Sequence, residues 1–350
     1  VARATRPAAP EAERLAMVIQ LTLGFFLAYL LALVGTPMAR EAALRFGVVD
    51  RPDGHLKTHR APVAYLGGLA VFVAFLLSIG MTFEFDEELL ALLLASTIVT
   101  MVGLIDDFGA LTPKPKAMGQ AVAVFVLLKA GVMLHLVFVP WWARVALTVL
   151  WLVGTSNAFN LSDIMDGLAG GLGVIAGTFL LVVALLNGRL VVAYFTVALV
   201  GALLGFLRFN FHPAVIYLGD CGSLFIGLTL GALAMVMDYT AHNDLGFLAP
   251  LYILALPIVD TFYVMFLRIR AGRKIYHGSP DHIPLRLRRR LGGSTVRTVV
   301  ACYGAAVVLG GIGLVILYLD PLTTIAVSAV IGAVVLAILV WLGRVDMGPA

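Results

Sequence analysis

A few clusters of carboxylates, amides and basic side chains interrupt an otherwise apolar chain, and their types and spacing point to cation and phosphate chemistry. Asp106 and Asp107 close the string Gly-Leu-Ile-Asp-Asp-Phe-Gly. Adjacent side chains at a helix end point in different directions, so one acid can hold a metal while the other acts on substrate. A helix C-terminus is already negative, so two acids there call for a bound cation or a nearby lysine. Asn157, Asn160, Asp163 and Asp166 recur at a spacing of three, which on a helix makes a slowly winding polar stripe. Such amides and acids can hold a nucleobase, a ribose or a metal-bound water; interhelical hydrogen bonding is the plainer role, and suits the asparagines better than the acids.

Gly219-Asp220-Cys221-Gly222-Ser223 precedes an apolar run. Glycines such as Gly219 permit a tight turn and close approach of a phosphate to N–H groups at a helix start, with Ser223 one turn further on; a simple capping turn is the commoner use of such a string. Asp220 suits Mg²⁺, which keeps few protein carboxylates and completes its shell with water and phosphate oxygens. Lys57, His59 and Arg60, just before Gly67-Gly68, are candidates to hold a phosphate or anionic lipid headgroups. The basic run from Arg268 to Arg297 contains His277 and Pro280-Asp281-His282-Ile283-Pro284; its Arg288, Arg289 and Arg290 read best as a membrane anchor.

These residues must be positioned by membrane helices. The chain of 350 residues is 61% hydrophobic and 13% charged, against about 25% charged in a soluble domain. Acids are expensive in such a setting, roughly 2.5–3.5 kcal/mol each at the centre of a span. Apolar runs fall at about 15–38, 64–82, 89–105, 117–138, 141–158, 168–187, 190–207, 222–240, 245–268, 297–319 and 322–343, which predicts an all-α polytopic membrane protein of about eleven transmembrane helices. The first run is too long for a signal-peptide core and reads as a retained span. Residues 1–350 form one integral-membrane domain, with a polar tail over 1–14 and a basic loop over 269–296. Cys221 and Cys302 make no Cys-x-x-Cys pair, so neither a disulfide framework nor a zinc site is suggested.

Of the 24 Lys and Arg residues, 18 fall in one set of connections, which assigns that set to the cytoplasm. The N-terminus is then outside and the C-terminus inside, although Arg3, Arg6 and Arg14 in the tail oppose this orientation. The clusters at Asp106-Asp107, Asn160–Asp166 and Gly219–Ser223 and the basic run from Arg268 to Arg297 all land on the cytoplasmic side, in one cleft.

The stretches KTHRAPVAYLGG (57–68), LIDDFGAL (104–111), NAFNLSDIMDGLAGG (157–171), FNFHPAVIYLGDCGSLFIG (209–227) and LPIVDTFYVMFLRIRAG (256–272) resemble, in order and over nearly the whole chain, the polyprenyl-phosphate N-acetylhexosamine-1-phosphate transferase family (the WecA, TagO and MraY group). The resemblance implies transfer of a sugar-1-phosphate, N-acetylglucosamine-1-phosphate above all, from a UDP-sugar to polyprenyl phosphate. It implies that UMP is released and that a cell-surface glycan is begun at a bacterial inner membrane. It implies Mg²⁺, sometimes replaced by Mn²⁺; its partners are the UDP-N-acetylhexosamine and the lipid, with no nucleic acid and with a homodimer left open. Carried over by motif, Asp106 is the base or lipid-phosphate organiser, with Asp107, Asp163 and Asp220 the other catalytic acids. Asp220, Asn160 and Asp107 are the metal set. Lys57, His59, Asn157, Asn160, Asp166, Gly219, Ser223, His282 and Arg286 are the substrate-binding set.

One departure concerns the family's His-x-His-His string, which reads His282-Ile283-Pro284-Leu285 here. Arg286 and Arg288 are the candidates to replace the missing charge, and Arg differs in reach and geometry. The departure argues against the pentapeptide-substrate branch, and leaves open an altered homologue using another UDP-N-acetylhexosamine, or a catalytically dead one acting as a scaffold. Tyr65, where Arg is common, and Cys221, where Ser or Ala is common, are smaller deviations. A secondary transporter would also place acids in a membrane, but near mid-bilayer and with inverted repeats, neither of which the sequence suggests.

Overall fold

The computed structural model describes residues 11–50, 63–82, 87–109, 111–134, 139–274 and 279–347. Lys57, His59 and His277 lie outside the described residues. The chain begins with α1 (Glu11–Phe46), 36 residues with Pro37 inside, or about 54 Å at 1.5 Å per residue. After it, β1 (Val49–Asp50) pairs antiparallel with β2 (Val63–Ala64), Val49 opposite Ala64 and Asp50 opposite Val63. Then come α2 (Gly67–Thr82), α3 (Glu87–Asp107), α4 (Pro113–Lys129), α5 (Trp141–Ser162), α6 (Leu168–Leu186), α7 (Leu190–Asn210) and α8 (Gly219–Met235). A 3₁₀ turn, Gly246–Leu248, leads into α9 (Ala249–Ile253) and α10 (Ala255–Arg270), followed by α11 (Ile283–Arg290), α12 (Thr295–Ile316) and α13 (Pro321–Gly343).

The protein is an all-α polytopic membrane protein. Among the described residues seven helices are long and apolar enough to span a bilayer, and eight if the bent pair around Leu254 is one span. The expectation of eleven full spans is therefore larger than length and composition support. Each apolar run is helical over much of its length, but α2 and α8 have only 16 and 17 residues. The run at 245–268 is broken, with its two parts bent by 73°. Pro257 accounts for the break: it has no N–H to offer Ile253, and its ring clashes with that carbonyl.

The core is built around α8. Every residue of it except Asp220 is buried. It touches three helices where glycines remove the side chain. A Cβ on Gly68 of α2 would lie 2.1 Å from the nitrogen of Gly222, one on Gly103 of α3 2.4 Å from the carbonyl oxygen of Asp220, and one on Gly227 2.4 Å from the carbonyl oxygen of Thr155 of α5. Phe72, Phe75 and Phe195 pack edge-on with Phe225 or with one another at 5.2–5.6 Å between centroids. By contrast α13 buries only Thr324 and Leu342, the pattern of a helix facing lipid or a partner.

Candidate functional site

The ends of α3, α5, α7 and the starts of α6 and α8 meet at one end of the bundle. Gly219 opens α8 with φ +72°, and a Cβ there would sit 2.7 Å from Asp107 Oδ2. The Asp107 carboxylate fills that space. Its Oδ1 accepts the N–H of Asp220 at 2.8 Å and its Oδ2 that of Cys221 at 3.1 Å. Asp107 thus caps α8 from another helix, where the dipole favours negative charge. The phosphate cradle expected at this helix start is taken by a carboxylate, and the oxygens of Asp107 face backbone rather than the other acids.

Asp106 and Asp220 converge instead on Lys116, a residue the sequence reading placed only among the loop charges. Lys116 Nζ lies 2.9 Å from Asp106 Oδ2 and 2.5 Å from Asp220 Oδ2, and donates to Asn160 Oδ1 at 3.3 Å. Asn160 Nδ2 in turn donates to Asp220 Oδ1 at 2.7 Å and to Ser223 Oγ at 3.0 Å. Ser223 donates to the carbonyl of Gly219 at 2.9 Å, tightening the first turn of α8. Asp106, Asn160, Asp220 and Ser223, from three helices, therefore form one hydrogen-bonded group around the Lys116 ammonium.

Asp163 follows α5 at φ −82°, ψ 54°. Burial pushes its carboxyl up to about 8, and the charges of Asp220 and Asp107 add to this, against one opposing hydrogen bond from the Gly219 backbone. Without a second cation it is mostly protonated at neutral pH. Asp166 has a different task. Its Oδ2 meets His212 Nδ1 at 2.6 Å and accepts the N–H of Ala214 at 3.1 Å. Asn210 Oδ1 accepts from Gly167 N–H at 3.1 Å, and Asn210 Nδ2 donates to the Ile216 carbonyl at 2.9 Å. These bonds tie the turn after α5 to the segment before α8. Asn157 reaches Gln120 of α4 at 3.1 Å and the Val153 carbonyl at 2.8 Å, one turn away from the carboxylates. Tyr65 bonds to buried Asp50, and Asp107 and Asp163 also act on it, so a neutral phenol stands near the acids.

His282 and Arg286 both lie in buried pairs. His282 is 4% exposed; its Nδ1 lies 2.7 Å from Asp260 Oδ2, and Asp260 Oδ1 accepts the Ile283 N–H at 2.6 Å. Arg286 is buried as well. It pairs with Asp281 at 2.5 Å and donates to the carbonyls of Leu342, Gly343 and Val345. Its charge neutralises the C-terminal end of α13 and is not free to replace a substrate-binding histidine. Arg288 donates to the Gly293 carbonyl at 2.8 Å. Asp260, a partner in this arrangement, was quoted in a motif without a role.

The donor set suits a hard divalent cation. Among the described residues no three His, Cys, Asp or Glu side chains gather around one point. What converges is two carboxylates and an amide oxygen, with the Lys116 ammonium where they meet. Oxygen donors in small number are what Mg²⁺ uses when substrate and water complete its shell.

Sequence comparison gives the family of this helical membrane bundle. The family model described as glycosyl transferase family 4 matches residues 89–238. The chain is 32% identical over 279 residues to a probable undecaprenyl-phosphate N-acetylglucosaminyl 1-phosphate transferase of Bacillus subtilis, covering 77% of this chain and 78% of the relative. It is 33% identical over 346 residues to a decaprenyl-phosphate N-acetylglucosaminephosphotransferase of Mycolicibacterium smegmatis, covering 88% and 84%. A phospho-N-acetylmuramoyl-pentapeptide-transferase of Bacillus cytotoxicus is 30% identical over 329 residues, covering 86% and 97%. The chain belongs to glycosyl transferase family 4. The matched region holds Asp106, Lys116, Asn160, Asp163 and Asp220.

Proposed function

We propose that the protein transfers N-acetylglucosamine-1-phosphate from UDP-N-acetylglucosamine to polyprenyl phosphate, with release of UMP. The observation that carries this reading is the convergence of Asp106, Asp220 and Asn160 on Lys116 at the membrane end of α8. Two anionic substrates must meet in such a reaction, so charge neutralisation and positioning are the main demands. Asp220, Asp106 and the Asn160 carbonyl would hold Mg²⁺, which would neutralise the diphosphate when bound. Asp107, by capping α8, fixes where Asp220 points and acts as a positioning residue. Asp106, beside Lys116 and Asp220, is the residue to organise the attacking lipid phosphate. Asp163, whose carboxyl burial raises in the absence of a cation, stands beside this group as a further acid facing the metal–diphosphate. Asp166 and His212 order the turn beside it.

The names of the relatives in Bacillus subtilis and Mycolicibacterium smegmatis support this donor and acceptor pair. The weight of basic residues on the same side as the acids supports an active end facing the cytoplasm of a bacterial inner membrane. The test is UMP release from UDP-N-acetylglucosamine with undecaprenyl phosphate, run beside UDP-N-acetylgalactosamine and UDP-N-acetylmuramoyl-pentapeptide. Asp220→Asn and Asp106→Asn should each abolish release. Full turnover by either variant would sink the assignment, and turnover with another donor only would move the sugar.

A further inference from the structure

Helix α8 leaves the carboxylates at Gly219 and runs 17 residues to Met235, about 25 Å at the helical rise. Two cavities meet at that far end. One, of about 430 Å³, is walled by Asn187, Arg189, Asp238, Tyr239, His242 and Tyr318 among others. The other, of about 330 Å³, is lined by apolar side chains that include Leu92, Val132, Val191, Phe195, Leu233 and Val236. Gly188 and Arg189 line both, so a polar chamber and an apolar one share a wall. Each lies within the range of ligand cavities, about 300–1,000 Å³.

The charges in the polar chamber are opposite and unpaired. Among the described residues the Arg189 guanidinium takes part in no ion pair or side-chain hydrogen bond, and Asp238 pairs with no cation. Asp238 accepts only from Thr240, at 3.0 and 3.3 Å, and its own N–H is held by Asn187 Oδ1 at 3.1 Å. The His242 ring stacks on Tyr318 at 5.3 Å between centroids. A guanidinium and a carboxylate that line one chamber without pairing offer two half-sites of opposite sign.

We propose that this double cavity binds a phospholipid whose headgroup carries a primary amine. Its phosphate pairs with Arg189, its ammonium with Asp238, and one acyl chain fills the apolar cavity. A headgroup with only negative charge would meet Asp238 without compensation. A soluble phosphoamine would leave the apolar cavity to water, which such a lining disfavours. The position also fits, because the ends of α6 and α7 frame the chamber and helix ends lie where lipid headgroups do. The site is at the opposite end of α8 from the carboxylates, so it does not depend on the reaction assigned to them.

The experiment uses full-length protein, delipidated in detergent, titrated with phosphatidylethanolamine or phosphatidylglycerol and read by native mass spectrometry. Phosphatidylethanolamine should bind more tightly. Arg189→Ala should weaken both lipids by about fivefold, the effect of one interfacial cation. Asp238→Asn should weaken phosphatidylethanolamine alone. Val236→Phe, which fills the apolar chamber and leaves both charges, should weaken both lipids, and a melting curve on each variant separates lost binding from lost fold. Should a variant fail to fold, competition of soluble phosphoethanolamine against the lipid on unaltered protein decides the matter. Equal binding of the two lipids, no response to Asp238→Asn, or full displacement by phosphoethanolamine would each overturn the proposal.

Discussion

At Gly219, α8 begins among acids whose oxygens are nearly all partnered; at Met235 it ends beside Arg189 and Asp238, which line one chamber without pairing. The first end gathers its polar groups from α3, α4, α5 and α8, which fix one another through ion pairs and hydrogen bonds. The second draws them from the turns after α6 and α8, where little else competes for them. Mutual satisfaction at one end and separation at the other are physical opposites. A cluster held together by its own ion pairs is already close to its working geometry, and any incoming cation must displace or join Lys116. A chamber with unpaired charges has its interaction energy still to be realised by a ligand.

The sharpest way to break this contrast is to remove Lys116. Its side chain is 17% exposed and that of Asp106 19%, so Lys116→Ala leaves two acids facing each other with little water. Losing one partner of a mostly buried pair costs about 3 kcal/mol, and turnover should fall on the order of a hundredfold or more. The telling readout is thermal melting with and without Mg²⁺. A divalent cation should stabilise Lys116→Ala more than the unaltered protein, because it takes the place of the ammonium. Equal Mg²⁺ shifts in the two proteins would mean that the acids do not form the cation site.

A second break is steric. Gly103→Ala would put a methyl group 2.4 Å from the Asp220 carbonyl oxygen and 2.5 Å from the Cys221 nitrogen. Both are backbone atoms of α8 and cannot swing aside. Overpacking of this kind costs about 1–3 kcal/mol, and here the shift passes directly to Asp220. Melting temperature and UMP release should fall together. Gly80→Ala, with nothing within 4 Å of the added carbon, is the matched change elsewhere and should leave both intact.

The ease with which these features could be read from the sequence followed contact range. Asp106, Asp220, Asn160 and Ser223 do meet, because acids and amides at the ends of apolar runs have few other places to go. Lys116 was seen only as a loop charge, since nothing local shows that a turn after Asp107 brings α4 back beside α3. His282 and Arg286 entered the substrate-binding set by motif, and nothing local shows that both are buried. Asp281, the ion-pair partner of Arg286, is five residues away, but Asp260, 22 residues from His282, and Leu342, 56 from Arg286, are beyond any local pattern. Pro257 did announce the break near Leu254, but hydropathy alone ran across it. The cap made by Asp107 was the hardest to foresee, as it joins two helix ends 113 residues apart.

Arg286→Ala tests whether the basic segment belongs to the catalytic end at all. Removing the guanidinium strands Asp281 and the last carbonyls of α13, a loss of about 2 kcal/mol for charge-assisted hydrogen bonds. Melting should drop while the KM for UDP-N-acetylglucosamine stays unchanged. A large rise in KM with unaltered melting would return Arg286 to the substrate site.

Arg189→Ala should have the smallest effect on chemistry and is the most direct test of the independence of the two ends. The residue is exposed, pairs with nothing among the described residues, and borders a chamber about 25 Å from Asp220 along α8. At ordinary salt, charges that far apart across a solvated end are screened over about 8–10 Å. In detergent, where bilayer lipid is absent, UMP release should therefore equal that of the unaltered protein within error. In phosphatidylethanolamine-rich vesicles, the variant should melt slightly earlier than the unaltered protein, because a lipid held about fivefold more weakly stabilises the folded state less. If turnover in detergent falls instead, the buried length of α8 transmits strain from one end to the other, and the contrast between a self-contained cluster and a receptive chamber gives way to a single coupled element.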